Sequence, residues 1–115
     1  PGRAAVDMAD DTVAALAELP RIVGLKDATG NIARVSTLKP LLKKPFALFS
    51  GDDATQLGFN AHGGCGVISV TSNLFPKESA IFQKRCAENK FHEALILHDS
   101  LMPFHTSLFC ETSPA

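Results

Sequence analysis

The chain has 115 residues, of which 45% are hydrophobic, and this is enough for one small domain with an apolar core. Its 11 basic and 12 acidic side chains nearly balance and are spread along the sequence, so neither nucleic acid nor an anionic membrane is expected as a partner. No apolar run reaches the roughly 18 residues of a transmembrane helix. The sequence begins with Pro-Gly-Arg, without a start methionine or a signal-peptide pattern, and ends with Glu-Thr-Ser-Pro-Ala without an obvious stop, so we expect a segment of a longer protein.

Helical and strand-like apolar patterns alternate along the chain. In order, they predict a helix at 11–19 capped by an aspartate, a strand at 22–25, a helix from Asn31 that Pro40 kinks or ends, a strand at 46–49, a helix at 54–61, a strand at 67–70, a helix at 76–88 that begins with Pro76, and a helix at 91–109 that contains Pro103. The strands are almost continuously apolar, as in a parallel sheet covered by helices. Their spacing of roughly 22 residues favours part of a (β/α)8 barrel over a doubly wound sheet.

Polar residues follow each predicted strand, and in a barrel the carboxyl ends of the strands carry the chemistry. Lys26 follows the first strand, residues 50–53 the second, and residues 70–73 the third. An amine held in a mostly apolar cleft loses its proton more readily and becomes a nucleophile toward carbonyl groups. The alternative is that Lys26 marks a strand end in water, as charged residues commonly do.

Other titratable side chains predict structural roles. Asp52 and Asp53 are interpreted as a helix N-cap rather than as a metal or phosphate site. His98 and His105 could share a helix face, and they are interpreted as core or solvated residues, because the ligand spacing of a zinc site is missing. No metal site is therefore expected.

The cysteine pattern is typical of a reduced intracellular protein. The count is odd and there is no CxxC pair. The three residues are Cys65, Cys86 and Cys110.

Five motifs together resemble the dihydrodipicolinate synthase family. They are Pro-Gly-Arg at 1–3, Gly-Leu-Lys-Asp-Ala-Thr-Gly at 24–30, Ser-Gly-Asp-Asp at 50–53, Gly-Val-Ile-Ser-Val-Thr at 66–71 and Phe-Cys-Glu-Thr-Ser-Pro at 109–114. The likeness covers essentially the whole chain with motif order kept. It implies an α/β fold, a TIM (β/α)8 barrel represented by a fragment. Residues 1–90 would supply the end of the fifth βα unit through the eighth, and residues 91–115 the start of the C-terminal helical region.

The resemblance also implies a function, that of an aldolase-type lyase of lysine biosynthesis. Lys26 would form an imine with pyruvate, whose enamine attacks aspartate semialdehyde, without a metal or cofactor. Arg3 would bind the carboxylate of the aldehyde substrate. Gly51 and Ile68 would line the pyruvate pocket largely through their backbones. The full-length enzyme would be a cytoplasmic homotetramer, and its proton-relay tyrosine would lie outside this chain, which has no tyrosine.

Two alternatives stay open at this point. One is a sister lyase that also forms an imine, such as N-acetylneuraminate lyase or a 2-keto-3-deoxy sugar acid aldolase. The other is a non-catalytic module that only associates with a partner. In either case a partial barrel leaves sheet edges and apolar faces uncovered, so we expect the isolated 115 residues to be inactive as a synthase and to self-associate.

Overall fold

Three short parallel strands alternate with helices in the computed structural model, which describes residues 4–111. In chain order the elements are α1 (Asp10–Ala17), β1 (Gly24–Asp27), α2 (Arg34–Leu38) with a 3-10 turn (Lys39–Leu41), β2 (Ala47–Ser50), α3 (Gln56–Ala61), β3 (Gly66–Val67), a 3-10 turn (Thr71–Asn73), α4 (Pro76–Ala87) and α5 (Phe91–Ser107). The predicted order of helices and strands is confirmed.

The sheet has the order β1-β2-β3, and both strand pairs are parallel. Lys26 is paired with Phe49, and Phe49 with Gly66. Leu25 and Leu48 point into the core beneath the helices. Because side chains alternate along a strand, Lys26 and Phe49 lie on the opposite face of the sheet.

Two apolar clusters stabilise the helical side of the sheet. One joins α1, α2, β2 and α3, and the other joins α4 and α5. The buried members of the first are Val13, Val35, Leu38, Leu48 and Phe59, and those of the second are Phe82, Cys86 and Ala94.

The strand boundaries differ from the sequence prediction. β1 begins at Gly24 rather than at Ile22 and includes Lys26, so this lysine lies within the strand and not beyond its end. Val23, which the sequence pattern placed in a buried strand, is instead 71% exposed. β3 ends at Val67, since the following residues turn toward a carboxylate described below.

The predicted effects of the prolines are confirmed at two positions. Pro40 ends regular α-helix, because α2 passes into the 3-10 turn that contains it. Pro76 is the first residue of α4, where its missing N–H costs nothing. Pro103 lies inside α5, as predicted. Across residues 4–111, no helix has the length and apolar composition that a membrane span requires.

The uncovered sheet face leads to a prediction about the isolated chain. Ile68 is 50% exposed, Leu74 is 60% exposed and Val23 is 71% exposed. Large apolar side chains left in contact with water favour association. We expect the 115 residues alone to form dimers or larger species in size-exclusion chromatography with light scattering. A monodisperse monomer that unfolds cooperatively on heating would contradict this prediction.

Candidate active site

Gly51 lies directly against the side chain of Lys26. A Cβ atom at position 51 would be 2.8 Å from Cε of Lys26, 3.1 Å from its Cγ and 2.8 Å from Cβ of Ala28. These distances are too short for any residue larger than glycine without movement of its neighbours. The backbone immediately after β2 is thus packed against the lysine stem at Cγ and Cε.

Ile68 lies at the same level of the sheet, one strand further on. The N–H of Gly51 donates to the carbonyl of Asp27 at 2.6 Å, and the N–H of Ile68 donates to the carbonyl of Ser50 at 2.8 Å. The parallel ladder therefore continues beyond the strand ends. Strand alternation places Lys26, Gly51 and Ile68 on one face, the face that the helices do not cover.

Lys26 itself is exposed, so the expected apolar cleft is not formed around it by residues 4–111. The side chain of Ile68 is likewise 50% exposed. A cavity of about 170 Å³ lies beside the lysine and is lined by Val6, Asp7, Met8, Leu25, Lys26, Asp27, Ala28, Thr29 and Arg34. Gly51 and Ile68 are not among its lining residues. Arg3 lies outside the described residues.

An ion cluster around the buried Arg34 holds the strand that carries Lys26. The guanidinium of Arg34 bonds Asp10 at 2.8 Å and Asp7 at 3.0 Å, lies 3.7 Å from Asp27, and donates to the carbonyl of Met8. Burial opposes the charge of Arg34, but the hydrogen bond to Asp10 and the charge of Asp27 outweigh it and raise the pKa of the guanidinium. The cluster holds Asp27, the neighbour of Lys26, on the helical side of the sheet.

Two carboxylates of this cluster bind Arg34 and also accept hydrogen bonds from nearby threonines. Asp10 bonds Thr37 and Arg34, and these contacts lower its pKa. The predicted aspartate cap of α1 is therefore wrong, because α1 has no side-chain cap. Asp27 accepts from the N–H and the hydroxyl of Thr29, which shapes the loop after β1.

Replacing Arg34 by leucine should destabilise the full-length protein by about 3 kcal/mol, because the almost fully buried Asp27 would lose its cation. Arg85→Leu is the matched control, since Arg85 pairs with Glu88 and Glu93 at the surface. It should cost less than about 1 kcal/mol. Denaturant unfolding measures both, and equal losses for the two variants would contradict the assigned role of the cluster.

The interpretation of Asp52 and Asp53 as a helix cap is wrong. The residue that caps α3 is Thr55, without a side-chain cap bond, and Asp52 accepts a hydrogen bond from its hydroxyl at 2.6 Å. Asp53 is 2% exposed and points to the segment after β3. It accepts hydrogen bonds from the Ser69 hydroxyl, the Val70 N–H at 2.8 Å and the Thr71 N–H at 3.2 Å.

Two histidines of α5 are buried against this loop region, which confirms that they are core residues on one helix face. His105 Nδ1 lies 2.7 Å from the hydroxyl of Thr71, and the His98 and His105 rings lie 5.5 Å apart. Burial lowers the pKa of both rings, against the opposing charges of Asp99 at His98 and of Asp53 at His105. Both therefore favour the neutral form.

The described cysteines are free thiols. Burial raises the pKa of Cys86, a residue of α4 that packs against α5, and this thiol is therefore a poor nucleophile. Within residues 4–111, no cluster of three His, Cys, Asp or Glu side chains is placed to hold a metal ion.

The family model and the similar curated proteins all point to one enzyme family. The model of the Dihydrodipicolinate synthetase family matches residues 1–115. The chain is 52% identical over its whole length to the 4-hydroxy-tetrahydrodipicolinate synthase of Zymomonas mobilis and covers 40% of that protein. It is also 52% identical to the enzyme of the same name from Brucella abortus, again covering 40% of it. The chain thus spans about two fifths of these relatives.

Solved structures confirm the fold. The dihydrodipicolinate synthase of Aquifex aeolicus superposes with a TM-score of 0.94 at 36% identity, covering 99% of this chain and 39% of that one. The chloride-inhibited enzyme of Acinetobacter baumannii, solved with pyruvate, gives a TM-score of 0.92 at 39% identity, with coverage of 99% and 39%. The three parallel strands and their helices are therefore part of a (β/α)8 barrel.

Proposed function

Because the chain belongs to the dihydrodipicolinate synthetase family, we propose that it is part of a lyase that condenses pyruvate with L-aspartate 4-semialdehyde to give 4-hydroxy-tetrahydrodipicolinate. The observation that carries this proposal is the close packing of Lys26 against Gly51 at the carboxyl end of the sheet. A primary amine on an otherwise non-ionic sheet face is the group that imine chemistry requires. The activity belongs to the full-length protein.

The proposed reaction begins when the neutral amine of Lys26 attacks the ketone carbon of pyruvate. Water leaves, and the resulting iminium loses a methyl proton to give an enamine. The enamine carbon then bonds to the aldehyde carbon of the second substrate. The amino group of that substrate finally attacks the iminium carbon, which closes the ring and releases Lys26. Each step is easier than direct bond formation between the two substrates.

Gly51 and Ile68 support this chemistry as lining residues of the pyruvate site. Gly51 leaves room for the lysine stem and for a small keto acid, since a Cβ there would occupy that space. Arg3 is proposed to bind the carboxylate of the aldehyde substrate through its two parallel N–H groups. The tyrosine that relays protons would come from outside the chain, which contains none.

We further propose that the full-length enzyme is a homotetramer of the cytoplasm. The free thiols of Cys65, Cys86 and Cys110 are consistent with a reducing compartment.

Substrate comparison tests the proposed function. The full-length protein, supplied with pyruvate, should turn over aspartate semialdehyde at least about 100-fold better, in kcat/KM, than N-acetylneuraminate or a 2-keto-3-deoxy sugar acid in the cleavage direction. A preference for a sugar acid would assign the chain to a sister lyase instead. Absence of turnover with every one of these substrates would favour a non-catalytic module.

A further inference from the structure

The segment after β3 is held by a single buried carboxylate. β3 has only two residues, and its ladder to β2 ends at the Ile68 N–H. Beyond that point the two oxygens of Asp53 accept from Ser69, Val70 and Thr71. Asp53 stands two residues after Gly51, so one side chain ties the backbone next to Gly51 to the backbone next to Ile68.

A second contact reaches the same segment from α5. Thr71 is fully buried, and its hydroxyl bonds His105 Nδ1 at 2.7 Å across 34 residues of sequence. His98, two helical turns before His105, lies on the same face of α5, with the two rings 5.5 Å apart. α5 also packs against α3, the helix that follows Gly51 and Asp53.

We propose that Asp53, Thr71 and His105 form a positioning network that sets the place of Ile68 and Gly51 relative to the amine of Lys26. This inference rests on the proposed function and adds a role for α5, which carries none of the proposed substrate-binding residues. The network acts through the backbone of the segment after β3. None of the hydrogen bonds that its members make within the described residues involves Lys26.

The chemistry of the network explains why each member has its residue type. An aspartate at 53 accepts three hydrogen bonds from one short segment, a number that a neutral asparagine oxygen cannot match. Thr71 has its N–H on Asp53 and its hydroxyl on His105, so it joins the two contacts in one residue. A neutral imidazole at 105 serves as the partner of that hydroxyl without bringing a charge into the core.

The primary test replaces the hydroxyl of Thr71 in the full-length enzyme. Thr71→Val keeps the shape and removes the bond to His105, whereas Thr71→Ser keeps the bond. We expect kcat and the rate of borohydride trapping with pyruvate to fall by about 10-fold or more in Thr71→Val, because a shift of about 1 Å in a reacting group can cost up to 100-fold. Thr71→Ser should stay within about 2-fold of the wild type.

A second pair of variants separates positioning from loss of stability. His105→Phe removes the hydrogen bond from α5 and should slow trapping to the extent expected for Thr71→Val. It tests the network even if Thr71→Val fails to fold. Leu101→Ala is the control, since Leu101 is a buried residue of α5 between the two histidines and makes no side-chain hydrogen bond. It should lower the melting temperature but leave the trapping rate of the folded enzyme within about 2-fold of the wild type.

The outcomes also separate this inference from the proposed function. A wild-type enzyme that traps no pyruvate overturns the proposed function. A wild-type enzyme that traps pyruvate, together with Thr71→Val and His105→Phe enzymes that trap it at the wild-type rate, overturns only the positioning network. Equal slowing in Leu101→Ala would likewise overturn it, because the effect would then follow from weaker packing of α5.

Discussion

Replacing Lys26 by alanine should lower kcat of the full-length enzyme by at least about 1,000-fold, on the scale observed when a catalytic nucleophile is removed. The amine is the only part of this side chain that can form an imine, and its stem is already supported by Gly51. Lys26→Arg should be equally inactive, because a guanidinium stays protonated and does not attack a ketone. Steady-state kinetics with pyruvate and aspartate semialdehyde measure the loss.

Lys77→Ala serves as the control for this first prediction. Lys77 is an exposed lysine of α4 on the helical side of the sheet, so its removal should leave kcat within about 2-fold of the wild type. Wild-type turnover in Lys26→Ala would exclude Lys26 as the nucleophile.

The second large effect is expected at Gly51. In Gly51→Ala the new methyl group would meet Cε of Lys26 and Cβ of Ala28 at 2.8 Å, so the lysine stem or the strand must move. A displacement of about 1 Å at the reacting amine predicts a loss of up to about 100-fold in kcat. The rate of imine formation with pyruvate should fall in parallel, because the new methyl group displaces the side chain that carries the amine.

Gly58→Ala provides a matched steric control. A Cβ at position 58 in α3 would lie 2.9 Å from Cδ1 of Ile32, a similar overlap at a site remote from Lys26. This variant should lose stability but keep kcat within about 2-fold of the wild type. If both glycine variants lost activity equally, the effect at Gly51 would be one of general packing.

Much of the fold could be predicted from the sequence, because the strong signals were local. Apolar runs and prolines predicted the order of elements, and both Pro40 and Pro76 act on their helices as expected. The strand boundaries could not be placed, because Val23 is apolar but exposed. Whether the Val23 side chain is covered depends on which segment packs against it, and the pattern of apolar residues along the chain does not contain that information.

The candidate site was predictable only in part, for a similar reason. Lys26 is paired with Phe49, and Gly51 follows two residues later on the same face of the sheet, so the parallel register brings Lys26 and Gly51 together. Asp53 could not be placed, because a carboxylate at the start of a helix usually caps that helix and here bonds a segment 16 to 18 residues away. The contact between Thr71 and His105 spans 34 residues and depends on how α5 packs on α3 and α4.

Borohydride reduction in the presence of pyruvate tests the central claim most directly. The full-length protein would be treated with pyruvate and borohydride, digested, and mapped by tandem mass spectrometry, with protein treated without pyruvate as the blank. We predict a single pyruvate-derived adduct on the peptide that contains Lys26, and its absence in Lys26→Ala. An adduct on another lysine, or no adduct in an enzyme that is active, would contradict the assignment of Lys26 as the imine-forming residue.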